Sequence, residues 1–216
     1  MKAFLFDLDG TLNDSVPQIH HTMRRTMDQL GVPITDQEIR LTIGIPLVET
    51  GEQYLGKGRG QELLTVYRKL YAEEADLFPI QAFPGIPQML QTLHDQGAKL
   101  GLVTAKRNDM TMDALQAMGV TELFGTVVDF QCTKAHKPDP EPALYAMEKL
   151  GVNPSETCFI GDSIHDLGCG KNAGCTTVGV TWGAGVREQL LSVEPDYLVD
   201  SVAELSQLLL DLLNQA

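Results

Sequence analysis

The chain has 216 residues, 43% of them hydrophobic and 21% charged, with 20 glycines and 11 prolines. That apolar content excludes a disordered chain, and the glycines keep no three-residue period, which excludes a collagen-like one. Sixteen basic against 29 acidic residues leave a formal net charge of -13, which speaks against nucleic-acid and anionic-membrane partners but not against a small anion at a local site.

The first element is an apolar run, Ala3 to Phe6, cut short by Asp7. It is too brief for a signal-peptide core or a membrane span, so the expected location is cytoplasmic. From 16 to 82 only helical patterning appears, broken by turn signals at Gly31-Val32-Pro33, Gly44-Ile45-Pro46 and Gly56-Lys57-Gly58-Arg59-Gly60. Helical and apolar segments then alternate: helices at Ile86 to Gln96, Asp109 to Met118, Pro142 to Leu150 and Val202 to Leu213, with strands at Leu100 to Val103, Thr126 to Val128, Cys158 to Ile160, Thr177 to Val180 and, more weakly, Tyr197 to Val199. Strands apolar on both faces and separated by helices predict an α/β fold with a doubly wound parallel sheet. Residues 1–15 and 83–216 form the expected α/β core, and 16–82 an inserted all-helical cap. The insertion carries a net charge of -2 and the remainder -11, so the negative charge belongs to the core. Cys132, Cys158, Cys169 and Cys175 form no CxxC or zinc pattern and are expected as free thiols.

Chemistry concentrates at strand ends. Asp7-Leu8-Asp9-Gly10-Thr11-Leu12 follows the first strand, where open α/β sheets bind ligands. Two carboxylates two residues apart, roughly 6 to 7 Å along an extended chain, repel each other unless a cation lies close by. The second strand ends in Thr104, whose hydroxyl is followed by the amides of Ala105 and Lys106. The strand at Cys158 to Ile160 runs into Gly161-Asp162-Ser163-Ile164-His165-Asp166, two acids four apart, as on one helical face. Between these lies Lys137, set in His136-Lys137-Pro138-Asp139-Pro140 by rigid prolines. Carboxylates for a hard cation, with a hydroxyl and a lysine for phosphoryl oxygens, make a coherent set.

These four motifs, in this order, resemble the haloacid dehalogenase-like hydrolase superfamily, in particular its phosphoglycolate phosphatase-like branch with a helical cap after the first motif. The resemblance covers essentially the whole chain and implies a Rossmann-like core. It implies that Asp7 is a nucleophile forming an aspartyl-phosphate, and that Asp9 exchanges a proton with the leaving oxygen and the water. It further implies Mg²⁺ held by Asp7, the backbone carbonyl of Asp9, Asp162 and Asp166, the last directly or through water. Thr104, Ala105 and Lys137 would hold the phosphoryl oxygens. In the cap, Arg40 and Gly44 occupy the expected specificity loop.

The expected activity is a Mg²⁺-dependent phosphatase acting on a small phosphorylated metabolite, with phosphoglycolate the first choice. A pyrophosphatase, a β-phosphoglucomutase-like mutase and, least favoured, a non-catalytic binder of phosphorylated ligands stand as alternatives. A monomer and a homodimer are equally compatible with the sequence. The glycines at 56–60 resemble a phosphate cradle but follow no strand, so a cap loop is the preferred reading. His20 and His21 are expected on the first cap helix in solvated or capping roles.

Overall fold

The computed structural model describes residues 1–215. The chain opens with β1 (Ala3–Phe6) and continues through four helices, α1 (Val16–Leu30), α2 (Asp36–Thr42), α3 (Leu47–Leu55) and α4 (Gly60–Glu73). It then alternates as α5 (Ile86–Asp95), β2 (Lys99–Val103), α6 (Asn108–Met118), β3 (Phe124–Val128), α7 (Glu141–Leu150), β4 (Thr157–Gly161), α8 (Ile164–Asn172), β5 (Thr176–Val180), α9 (Arg187–Ser192), β6 (Tyr197–Val199) and α10 (Val202–Asn214). The six strands form one sheet in the order β3-β2-β1-β4-β5-β6, and every neighbouring pair is parallel. The doubly wound parallel sheet expected from the alternating pattern is what forms.

Side chains alternate across each strand. Phe4 and Phe6 therefore face one side with Leu100, Leu102 and Ile160, against Leu90 of α5, Leu115 of α6 and Leu209 of α10. Ala3 and Leu5 face the other with Val103 and Phe159, against Ala146 of α7 and Cys169 of α8. Burying each large side chain contributes roughly 1.5 to 3 kcal/mol, and the central strand is buried on both faces. Phe6 pairs with both Leu102 and Ile160. The carboxyl ends of β1, β2 and β4 thus lie level, and the order of the strands reverses between β1 and β4, where such sheets open a crevice.

The helices α1 to α4 build their own cluster from Met23, Met27, Ile39, Leu55, Leu63 and Tyr67. The chain leaves and re-enters the sheet side by side: the Asp14 amide donates to the Gln81 carbonyl at 2.9 Å and the Phe83 amide to that of Leu12 at 3.0 Å. No helix among the described residues is long and apolar enough to cross a membrane, and all four cysteines are free.

Two local expectations are corrected. β3 begins at Phe124, two residues early; Gly125 hides the apolar run, because a Cβ there would come within 2.9 Å of Leu150 on α7. Asp162 and Asp166 do not share a helical face. Ser163 is the extended N-cap of α8, which leaves Asp162 in the loop before the helix and Asp166 in its first turn.

Candidate active site

Asp7, Asp162 and Asp166 converge at the level carboxyl ends of β1 and β4. A carboxylate oxygen from each lies within 4.8 Å of the other two, and their residues are only 5%, 1% and 1% exposed. Lys137 reaches in from the loop before α7, its Nζ donating to Asp7 Oδ1 at 2.6 Å and to Asp166 Oδ1 at 2.5 Å. Three buried carboxylates against one ammonium leave an excess of two negative charges. The consequence is electrostatic: burial, with Asp166 and Asp162 adding to it against the pull of Lys137, raises the Asp7 carboxyl well above its ordinary value. Burial and then Asp166 push Asp162 up to about 7. Lys137 is held charged, since Asp166 and Asp7 outweigh the burial that opposes its charge. Hard oxygen donors this close, with two charges uncompensated, fit a divalent cation.

The cluster is fixed by its surroundings. The Ser163 hydroxyl and amide donate to Asp166 Oδ2 at 2.6 and 3.1 Å, while Ser163 Oγ accepts from the Asp166 amide at 3.3 Å, a reciprocal cap of α8. Asp162 accepts from Thr11 Oγ1 at 2.9 Å and from the Ala184 amide at 2.7 Å. The loop carrying Ala184 is pinned by Trp182, whose indole Nε1 donates to the Thr11 carbonyl at 3.2 Å. Gly10 has φ +88°, and a Cβ there would sit 2.3 Å from Asp162. Only glycine allows that turn and that approach.

Asp9 stands apart from the three. Its carboxylate takes both oxygens to Lys106 Nζ, at 2.8 and 2.9 Å, and Oδ1 also accepts from Ser15 Oγ at 2.7 Å and Asn13 Nδ2 at 3.4 Å. Burial alone would raise its pKa, but Lys106 and these donors reverse the sign and hold it below the ordinary value. The Lys106 ammonium also lies 5.7 Å from the ring centroid of Tyr71 on α4. Two carboxyls two residues apart are thereby driven in opposite directions, the pattern that separates a group resting ionised from one that wants a cation.

A cavity of about 580 Å³ opens above this site, between the sheet ends and the helices, with Asp7, Asp9, Thr104, Ala105 and Gly44 in its wall. The family model described as haloacid dehalogenase-like hydrolase matches residues 4–180, a span containing every acid of the cluster. The chain belongs to this family.

A provisionally named pyrophosphatase PpaX of Clostridium perfringens is 39% identical over 212 residues, covering 96% of this chain and 97% of its own. A phosphoglycolate phosphatase of Vibrio vulnificus is 31% identical over 224 residues, 97% and 96% of the two chains. Among solved structures, a haloacid dehalogenase-like family hydrolase of Streptococcus pneumoniae superposes with a TM-score of 0.83 at 27% identity, covering 97% and 98%. This haloacid dehalogenase-like hydrolase is an enzyme of the phosphatase kind.

The residues singled out in its sequence fall into place unevenly. Thr104 is buried at the end of β2, its Oγ1 accepting from the Lys106 amide at 3.1 Å. Gly44 reaches the site, since a Cβ there would meet Ser163 Oγ at 3.3 Å. Arg40 is exposed on α2 and outside the cavity wall, where the guanidinium groups are those of Arg68 and Arg107. His20 lies 3.2 Å from Asp36 and His21 3.1 Å from Glu74, both away from the cavity. The turn at 56–60 does cradle an anion, but it is the chain's own: the Gly58 and Gly60 amides donate to the Glu52 carboxylate at 2.6 and 3.1 Å. Sequence reasoning missed the Lys106 side chain and the Ala184 amide. The glycines flanking Ala184, directly after β5, were the available signal for the second.

Proposed function

We propose that this hydrolase is a cytoplasmic, Mg²⁺-dependent phosphatase that cleaves a small organic phosphomonoester through an aspartyl-phosphate on Asp7, with residues 16–82 acting as a cap over a core formed by 1–15 and 83–216. The observation that carries the reading is the excess of two negative charges on three buried acids, next to a fourth acid, Asp9, held separately by Lys106. Asp7, Asp162, Asp166 and the Asp9 backbone carbonyl would hold Mg²⁺, which would supply the charge neutralisation that lets an anionic carboxylate approach an anionic phosphate.

Asp7 attacks phosphorus and the bond to the leaving oxygen breaks, that oxygen taking its proton from Asp9, which enters this step in its protonated form against the pull of Lys106. Water then attacks the phosphorus, Asp9 accepts its proton, and the bond to Asp7 breaks to release orthophosphate. Thr104, the Ala105 amide and Lys137 hold the phosphoryl oxygens as charge builds on them. The printed names of the relatives make pyrophosphate and phosphoglycolate the reference compounds for any assay. The test is turnover of p-nitrophenyl phosphate: Asp7→Asn and, separately, EDTA each abolish it. Activity that survives both sinks the assignment.

A further inference from the structure

The cavity above Asp7 is far larger than a phosphate group requires. Its volume of about 580 Å³ lies in the range of roughly 300 to 1,000 Å³ typical of sites that bury most of a drug-sized ligand. Its basic side chains are Lys106, Arg107 and Arg68. Lys106 is bonded to both oxygens of Asp9, and Arg107 is held by both oxygens of Asp109, at 3.1 and 2.7 Å. Arg68 is exposed on α4, where water and salt weaken its field. A leaving group carrying a second phosphate or a carboxylate therefore finds no sheltered cation free to receive it among the described residues.

The wall facing the acids is of another kind. Ile19 of α1, Ile45, Leu47 and Val48 around the start of α3, and Leu64 of α4 all line the cavity. Each is half-buried, and all but Leu47 lie outside the cluster that holds α1 to α4 together. Ile19, Ile45 and Leu64 present aliphatic surface to the cavity that the cluster holding those helices together does not use, and covering such surface is favourable in proportion to the area removed from water.

We infer that the substrate of this site is a phosphomonoester whose leaving group carries an apolar body, an alkyl or aryl alcohol several carbons long, seated on this aliphatic wall with its phosphoryl group at Asp7. The inference rests on the phosphatase reading and narrows it, away from pyrophosphate and phosphoglycolate. The full chain with Mg²⁺ is assayed on n-alkyl phosphates from ethyl to hexyl, whose leaving oxygens differ little in basicity, so that a trend in kcat/KM reports contact with the wall. It rises about fourfold per methylene, hexyl phosphate exceeds both pyrophosphate and phosphoglycolate, and Leu64→Asn flattens the rise. A flat series overturns the inference, as does a preference for either reference compound. Calorimetry with alkylphosphonates of increasing length keeps the two proposals separable. Affinity that climbs with length in a chain that turns over nothing, p-nitrophenyl phosphate included, strikes the phosphatase reading and leaves the apolar seat standing; affinity indifferent to length strikes the seat.

Discussion

Lys106 Nζ meets both carboxylate oxygens of Asp9, at 2.8 and 2.9 Å, across a separation of 97 residues in the chain. The contact ties the loop after β2 to the loop after β1. It also decides the state of Asp9, which burial alone would leave protonated to higher pH.

Removing that ammonium moves Asp9 in the direction burial dictates, upward. The water step needs Asp9 ionised, so Lys106→Met displaces the acidic limb of the kcat profile to higher pH. Turnover near pH 6 falls by about 10- to 100-fold, less than the roughly 10²- to 10⁴-fold lost when a general base is removed outright, and recovers as pH rises. Lys106→Arg retains most of the activity. A loss in Lys106→Met that is the same at every pH would assign the lysine to phosphate binding instead.

Asp162 contributes to the pH dependence of the metal-free protein in the same direction as Asp7. Its folded pKa of about 7 lies above the ordinary value of 3.8, so the folded chain binds this proton more tightly than the unfolded one does. The stability this contributes is fully present below about pH 4 and is lost as pH climbs through about 7. A divalent cation takes the proton's place and releases it. Thermal unfolding in EDTA should show Tm declining across that window, and the gain in Tm on adding Mg²⁺ should grow from pH 5 to pH 8. A Mg²⁺ effect independent of pH is the contrary result.

Among the described residues, Lys137 is the only ammonium bonded to the cluster. Truncating it leaves Asp7 and Asp166 buried without their partner, a loss of about 3 to 5 kcal/mol when one member of a buried pair is removed. Lys137→Met should therefore unfold at markedly lower temperature in EDTA, with part of the difference restored by Mg²⁺. Equal losses with and without Mg²⁺ would mean that the lysine, and not the net charge of the cluster, sets stability there.

The loop after β5 is built against Asp162 without room to spare. A Cβ at Gly183 would lie 2.2 Å from Asp162 Oδ2 and 2.4 Å from the Gly10 carbonyl, so Gly183→Ala must displace one of them. The expected cost is about 1 to 3 kcal/mol of stability, together with a higher Mg²⁺ concentration for half-maximal activity. Unchanged Mg²⁺ dependence would show that the loop serves the fold alone.

Much of the cluster was legible before any fold was known. Asp7, Thr104 and Asp162 each follow directly on an apolar strand, and in a parallel sheet strand ends are where ligands go. Lys106 was visible only as a backbone amide, because nothing local marks a lysine whose partner is 97 residues away. The Ala184 amide bonded to Asp162 has no side chain to read. Arg40 fell on the exposed side of α2 because a seven-residue helix of uncertain start leaves its facing undetermined by pattern.

Hydrophobic alternation and the strand-end acids are local properties, and from them the sequence alone determined the parallel α/β sheet, the helical interval between β1 and α5, and the identity of the acids. Which charges meet was decided by tertiary structure. Electrostatic energies depend on separation and burial, and both exist only once the chain has folded: Asp7 and Asp9, two residues apart and alike in sequence, end with opposite pKa shifts because burial, aided by Asp166 and Asp162, outweighs Lys137 at Asp7, while Lys106 with Ser15 and Asn13 outweighs burial at Asp9.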